Sequence, residues 1–278
     1  NSIIISMLHA YQSPAHEDAV KNEIEHLAPD LFAFTSSEIW PVVREYERTT
    51  TTILNGYVHP RVTGYLTGLE DTLSDLGMPA PPLLTKSNGG LMRAETGKRN
   101  CVSMLLSGTA AGVTGACWLA RQAGNDRVLT LDIGGTSADM ALIIDGQPQF
   151  GKDEKIGDYP LHIPSVSVSS IGIGGGSIAR VDAFGVLKVG PESAGSAPGP
   201  ACYGRGGMHA TLTDALAVCG YLGHAPMAYG QLTLEIERAN SVVEKIALAL
   251  GRDVPATAEA IIRVAVSEMF VEVEKLAS

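Results

Sequence analysis

Apolar positions along the chain keep changing period, and each change marks an element. Val20, Ile24 and Leu27 fall on one face of a helix over Ala15–Leu27. Val62, Tyr65, Leu66, Leu69, Leu73 and Leu76 form a helical stripe over residues 61–76, and the run 49–57 before it predicts a helix interrupted near Pro60. Residues 108–124 read as an apolar helix seeded with small residues. Gly112 and Gly115 inside it each cost on the order of 1 kcal/mol relative to alanine, which points to close approach of a backbone or ligand, or to tight packing on a sheet. Residues 235–250, stopped by Gly251, and 257–276, after Pro255, close the chain as helices. Thr213-Asp214 reads as the N-cap pair of a short helix over 215–220.

Between the helices the period shortens. Residues 1–8 read as a buried strand entered in mid-chain and 31–34 as a second, giving a β-α-β start. Residues 83–86 predict a strand ended by Ser87-Asn-Gly-Gly90. Residues 165–171 predict another, running into Gly172-Ile-Gly-Gly-Gly-Ser177 and a hairpin over 178–189 that turns near Phe184-Gly185. The pattern centres on residues 127–145. Its two arms, 127–131 and 140–144, suit buried strands that pair antiparallel about Gly134-Gly135, where positive φ costs little. These alternations predict an α/β protein of mixed sheets with flanking helices. Pro79-Ala-Pro-Pro82 is its best internal boundary, dividing 1–80 from 81–278.

Composition narrows the class. With 45% hydrophobic and 18% charged residues, 278 residues suffice for a substantial core. A net charge of −10 argues against nucleic acid or an anionic membrane as partner, and no apolar run is long enough to cross a bilayer. Cys101, Cys117, Cys202 and Cys219 lie far apart with no CxxC pair, which predicts reduced thiols in a cytoplasmic protein. The first residues lack a basic lead, an initiator Met and a cleavage site, so the chain reads as an internal piece of a longer polypeptide.

Candidate chemistry gathers at the central hairpin, where Asp132 ends one arm and Thr136 and Asp139 open the next. Gly134, Gly135 and Thr136 would present N–H groups and a hydroxyl to a phosphate, and Asp132 would hold Mg²⁺ or orient a water. The plain alternative is a glycine turn with solvated aspartates, and Asp139 reads equally well as a structural residue facing back onto the turn. Gly174, Gly175, Gly176 and Ser177 fall just short of GxGxxG, and no βαβ unit follows, which argues against a Rossmann site. They read as a flexible loop on the phosphate or adenosine side of a nucleotide, or else as a glycine-rich bend. Pro191 spoils a GxSxG elbow at Pro191-Glu-Ser-Ala-Gly195, Val20 spoils HExxH after His16-Glu17, and Cys202 with His209 fits local packing better than a metal site. The long loop 192–207 is rich in Gly, Pro and Ser, as functional loops often are.

Several segments in series resemble the hydantoinase A/5-oxoprolinase family: Leu8-His-Ala-Tyr11 with Pro14-Ala-His-Glu17, Tyr46-Glu-Arg-Thr49 through Leu54-Asn-Gly-Tyr57, and Ser87-Asn-Gly-Gly-Leu-Met92. The series continues through Leu106-Ser-Gly-Thr-Ala-Ala-Gly112, Asp132-Ile-Gly-Gly-Thr136, Gly174-Gly-Gly-Ser-Ile-Ala179, Pro198-Gly-Pro-Ala-Cys-Tyr-Gly204 and Thr213-Asp-Ala215. The resemblance implies a ribonuclease-H-like fold of the actin and sugar-kinase type, with ATP and Mg²⁺ between two lobes. Residues 1–80 would end the N-terminal lobe, and 81–278 would form the nucleotide-binding lobe. It also implies ATP-dependent hydrolysis of a cyclic amide such as a hydantoin or 5-oxoproline, together with a second subunit or domain. Asp132 would be the catalytic and metal-positioning residue, and the Asp132 turn would be the second of two phosphate hairpins. Family members carry an earlier Asp-x-Gly-Gly-Thr hairpin and a later Gly-Gly segment that have no counterpart here. The chain alone is therefore expected to bind Mg·ATP only weakly and to hydrolyse nothing. Two rivals are a kinase of the same fold acting on another acceptor and a non-catalytic assembly lobe of a carboxylase-type complex.

Overall fold

The computed structural model describes residues 2–151, 154–156 and 159–277. Asn1, where the first predicted strand begins, lies outside the described residues. The fold is mixed α/β and divides into two compact units, one of residues 1–128 with 143–168 and one of residues 129–142 with 169–278. Pro79-Ala-Pro-Pro82 therefore lies inside the first unit and does not separate the two.

The first unit opens with the expected β-α-β. Strand β1 (Ser2–Ile5) pairs parallel with β2 (Phe32–Thr35) across helix α1 (Ala15–Leu27). A single turn, α2 (Ser36–Ile39), leads to α3 (Glu45–Asp75), which runs unbroken through Pro60. Pro60 has no N–H to give the Gly56 carbonyl, and the Ser2 hydroxyl supplies that bond at 3.1 Å. This offsets the hydrogen-bond part of the cost of a proline inside the helix. Of the apolar stripe on α3 only Leu66 is buried; Tyr65 and Leu76 are exposed. Strands β3 (Leu83–Thr85) and β4 (Leu91–Arg93) form a hairpin closed by Lys86 N–H to Gly90 C=O, followed by α4 (Ala94–Arg99) and α5 (Ser107–Gln122). No atom outside their own helix backbone lies within 4 Å of a side chain built at Gly112 or Gly115, so no other backbone of the described residues approaches them closely. Phe34, Ile39, Leu54, Val102, Leu161 and Ile163 form a core of this unit.

In the second unit, β5 (Val128–Ile133), β6 (Ala138–Ile144) and β7 (Ser169–Ile171) lie side by side, with β6 central and β5 at the edge. A connection of four residues makes β5 and β6 antiparallel. The arms differ in burial: Ala138 and Met140 on β6 are fully buried, while Leu131 and Ile133 on β5 are 50% exposed. The predicted strand over 165–171 is really two, Ser165–Val166 and β7, separated by 167–168. Strands β8 (Ser177–Val181) and β9 (Leu187–Ser193) make the predicted hairpin, and the Asp182 carboxylate accepts the N–H groups of Phe184 and Val186 in its turn. Helices α6 (Leu212–Val218), α7 (Ile236–Leu250) and α8 (Val254–Ala277) bury Ala215, Val243, Ile261 and Ala265 against Met140, Ala179 and Val189. Among the described residues no helix is long and apolar enough to cross a membrane.

Candidate functional site

The Asp132 turn and the Gly174 loop, about forty residues apart in sequence, are joined backbone to backbone. Gly134 N–H closes the turn on Ser137 C=O at 2.9 Å. The Gly134 carbonyl then accepts Gly175 N–H at 2.9 Å, and the Gly135 carbonyl accepts Gly176 N–H at 2.7 Å. In a trans peptide the C=O and N–H point in opposite directions. Each carbonyl turned toward the Gly174 loop therefore turns the next N–H away from it. The donors so directed are Gly135 N–H and Thr136 N–H. Both residues are exposed, and neither N–H meets an acceptor among the described residues.

The glycines of the loop serve contact rather than flexibility. A Cβ on Gly174 would lie 2.7 Å from both the Gly134 oxygen and the Thr136 nitrogen, and one on Gly176 would lie 2.8 Å from the Gly135 oxygen. All four peptide donors of the loop are engaged. Gly174 N–H meets Ser177 Oγ (2.9 Å), Gly175 and Gly176 hold the turn, and Ser177 N–H meets Gly174 C=O (2.9 Å). Of the residues read from sequence as phosphate contacts, Gly135 and Thr136 thus keep open donors. Gly134, Gly174, Gly175, Gly176 and Ser177 spend theirs inside the protein, because two backbones packed this closely must satisfy each other.

A second layer holds the loop. Thr213 sends both its N–H (2.8 Å) and its hydroxyl (2.7 Å) to the Gly175 carbonyl. The expected N-cap pair is shifted: Thr211 is the N-cap of α6, and Asp214 closes a capping box from the third helical position. Asp214, fully buried, also accepts Ala201 N–H (3.2 Å) and Cys202 N–H (2.8 Å). It thereby anchors Pro198-Gly-Pro-Ala-Cys-Tyr-Gly204, so three motifs separate in sequence form one bonded stack.

Asp132 is exposed, and its carboxylate makes no hydrogen bond or ion pair among the described residues. Asp139 is half-buried on β6 in register with Ser170 of β7. An outward pair of N–H groups beside an uncommitted carboxylate is a donor set that fits a phosphate and its divalent cation. Cys202 does not join it. Burial, reinforced by the Asp214 carboxylate, pushes its thiol pKa up, and among the described residues no three His, Cys, Asp or Glu side chains gather as metal ligands.

Sequence reading missed a second polar centre, in the first unit. Glu17, which the sequence offered within a failed HExxH pattern, is fully buried and accepts Ser36 Oγ and Ser37 Oγ (both 2.6 Å), Met7 N–H (2.8 Å) and Ser37 N–H (2.9 Å). Burial alone would raise its pKa, but these hydrogen bonds outweigh it and hold the carboxyl below its ordinary value. Arg48, also fully buried, donates to the same Ser36 Oγ (2.8 Å) and to the carbonyls of Val42 and Met7. The only signal in the sequence was that Glu17 and Arg48 sit in two of the quoted motifs.

Comparison with known proteins agrees with this motif series. The profile of the hydantoinase/oxoprolinase family matches residues 48–278. Caprolactamase subunit alpha of Pseudomonas jessenii is 37% identical over 262 residues, covering 94% of this chain and 38% of that protein. The crystal structure of the ATP-dependent caprolactamase from Pseudomonas jessenii matches at TM-score 0.80 and 34% identity, over 99% of this chain and 40% of that one. Nucleotide-free acetone carboxylase matches at TM-score 0.81 and 30% identity, over 96% of this chain and 38% of that one. The chain spans about two fifths of the length of the caprolactamase and carboxylase subunits it matches, and less than a fifth of the matched 5-oxoprolinases. It belongs to the hydantoinase/oxoprolinase family.

Proposed function

We propose that the chain carries one phosphate-binding half of the site of an ATP-dependent enzyme that opens a cyclic amide. The observation that carries this reading is the outward pair of donors at Gly135 and Thr136 beside the uncommitted Asp132 carboxylate. Family membership supports the reaction class. The fold assignment belongs to the same proposal: the second unit would be the core of a ribonuclease-H-like lobe of the actin and sugar-kinase type, so the nucleotide-binding part would centre there rather than on all of 81–278.

An unstrained amide is a poor electrophile. Bound ATP with Mg²⁺ would supply a phosphoryl group able to turn the amide oxygen into a leaving group. Gly135 N–H and Thr136 N–H would orient phosphate oxygens, with the Thr136 hydroxyl beside them. Asp132 would provide the negative charge that positions the cation. Gly174 to Ser177 would keep the turn rigid, so that its donors face outward before ligand arrives and need no reorganisation. Activity is proposed for the whole protein acting with a partner subunit or domain; the alpha subunit designation of the caprolactamase relative supports that arrangement.

Phosphate release from the whole protein, measured with product analysis over a panel of lactams, tests the proposal. ADP, free phosphate and ring-opened amino acid are expected together. Phosphate retained on an acceptor would replace this reading with the kinase one. The acetone carboxylase likeness favours a second reading, phosphoryl activation of a ketone or carboxylate acceptor, and the same assay with those acceptors separates the two.

A further inference from the structure

The Thr136 N–H, one of the two open donors of the Asp132 turn, ends a chain of hydrogen bonds that starts at a side chain. Thr213 gives both its N–H (2.8 Å) and its hydroxyl (2.7 Å) to the Gly175 carbonyl. That carbonyl shares a peptide with the Gly176 N–H, which is bonded to the Gly135 carbonyl at 2.7 Å. The Gly135 carbonyl in turn shares a peptide with the Thr136 N–H. The other open donor, Gly135 N–H, ends a parallel chain made of backbone alone. There Ser177 N–H meets Gly174 C=O at 2.9 Å, and Gly175 N–H, on the same peptide as that carbonyl, meets Gly134 C=O at 2.9 Å.

Hydrogen bonds in series strengthen one another, because a carbonyl that accepts a bond draws electron density from the N–H of its own peptide. A planar peptide also cannot turn its carbonyl without turning its N–H. Two donors on the Gly175 carbonyl therefore fix the direction of Gly176 N–H, and through the Gly135 carbonyl the direction of Thr136 N–H. The Thr213 side chain has no part in capping the helix it belongs to, since Thr211 caps α6 and Asp214 closes the capping box. It is 5% exposed, and a Cβ on Gly175 would lie 2.7 Å from its Oγ1, so the hydroxyl is packed directly on the loop.

We propose that Thr213 is a positioning residue for the phosphate turn: it orients the Thr136 N–H and strengthens it as a donor through two peptide groups. The bonded chain is a property of the second unit by itself; its effect on turnover rests on the ATP-dependent reading above. A donor aligned before ligand arrives acts most on charge that develops in the transition state, so Thr213 should weigh on kcat more than on KM.

Amide NMR of the ligand-free chain tests the relay. Thr213→Val keeps the shape and the N–H and removes the hydroxyl. The Thr136 amide proton should move upfield, the Gly135 amide should stay in place, and Thr213→Ser should restore the Thr136 position. In the whole protein Thr213→Val should lower kcat for ATP-dependent phosphate release about tenfold, a part of the loss of about a hundredfold that follows when a preorganised donor is removed outright. KM for Mg·ATP should change less than about threefold, and Thr213→Ser should match the parent. An unmoved Thr136 amide, an equal shift at Gly135, or no restoration by Thr213→Ser would each overturn the proposal; equal shifts would mean that Thr213 only holds the loop in place. Should Thr213→Val fail to fold, Thr213→Ala removes the same hydroxyl and carries the test. The expected shifts with no phosphate release by the parent protein would keep the relay and count against the proposed reaction. Parent turnover undiminished by Thr213→Val would overturn the positioning role and leave that reaction standing.

Discussion

Gly175 donates its peptide N–H to the Gly134 carbonyl at 2.9 Å, and through that bond the orientation of the Asp132 turn depends on a segment forty residues downstream. The turn's open donors at Gly135 and Thr136 face outward because the carbonyls on their far side are held.

Gly174→Ala should therefore destabilise the chain by about 2 kcal/mol or more, since the new methyl would meet only backbone atoms and none of them can step aside. Gly112→Ala, on open helix surface, should stabilise it by about 0.5–1 kcal/mol. Urea denaturation of the two variants side by side checks both signs; equal effects would mean the loop is not packed as described.

Asp132→Asn should leave stability within about 0.5 kcal/mol of the parent, because the exposed carboxylate has no partner among the described residues to lose. In the whole protein it should lower ATP-dependent turnover at least about a hundredfold, the scale of removing one preorganised charge. Unchanged turnover would remove Asp132 from the proposed site.

Glu17 links stability to pH. Its folded pKa lies below the ordinary 4.5, so its contribution is complete above that value and is lost as pH falls through the folded pKa. Unfolding free energy should drop on acidification below about pH 4.5, and less steeply in Glu17→Gln. At neutral pH that variant should cost about 2 kcal/mol or more, because the buried Ser36 and Ser37 hydroxyls and the Met7 and Ser37 N–H groups lose their carboxylate acceptor. Parallel acid titrations followed by circular dichroism would expose the error if the two slopes match.

The thiols should react in a fixed order. Cys101 is fully buried with its pKa pushed up to about 11 by burial, and Cys117 and Cys202 are buried as well; Cys219 is half-buried. Iodoacetamide at pH 8 followed by peptide mapping should label Cys219 first, and the other three only after denaturation. Early labelling of Cys202 would contradict its contact with Asp214.

Local sequence determined what depends on local geometry. Helix Ala15–Leu27, the hairpin turning at Phe184-Gly185 and the stop at Gly251 were legible because 3.6- and 2-residue periods and a left-handed glycine act within a few residues. The Asp132 turn was legible for the same reason, and the ordered motifs identified the family. What remained hidden depended on partners far away along the chain. Pro60 reads as a break until Ser2 meets the Gly56 carbonyl, and Glu17 reads as part of a failed HExxH pattern until Ser36, Ser37 and Met7 close around it. Gly174 to Ser177 read as phosphate donors until their N–H groups are spent on each other and on the Asp132 turn. Sequence specifies which groups can donate and accept. Only the tertiary structure decides which of them are already satisfied, because a hydrogen bond joins atoms by proximity in space, whatever their separation along the chain.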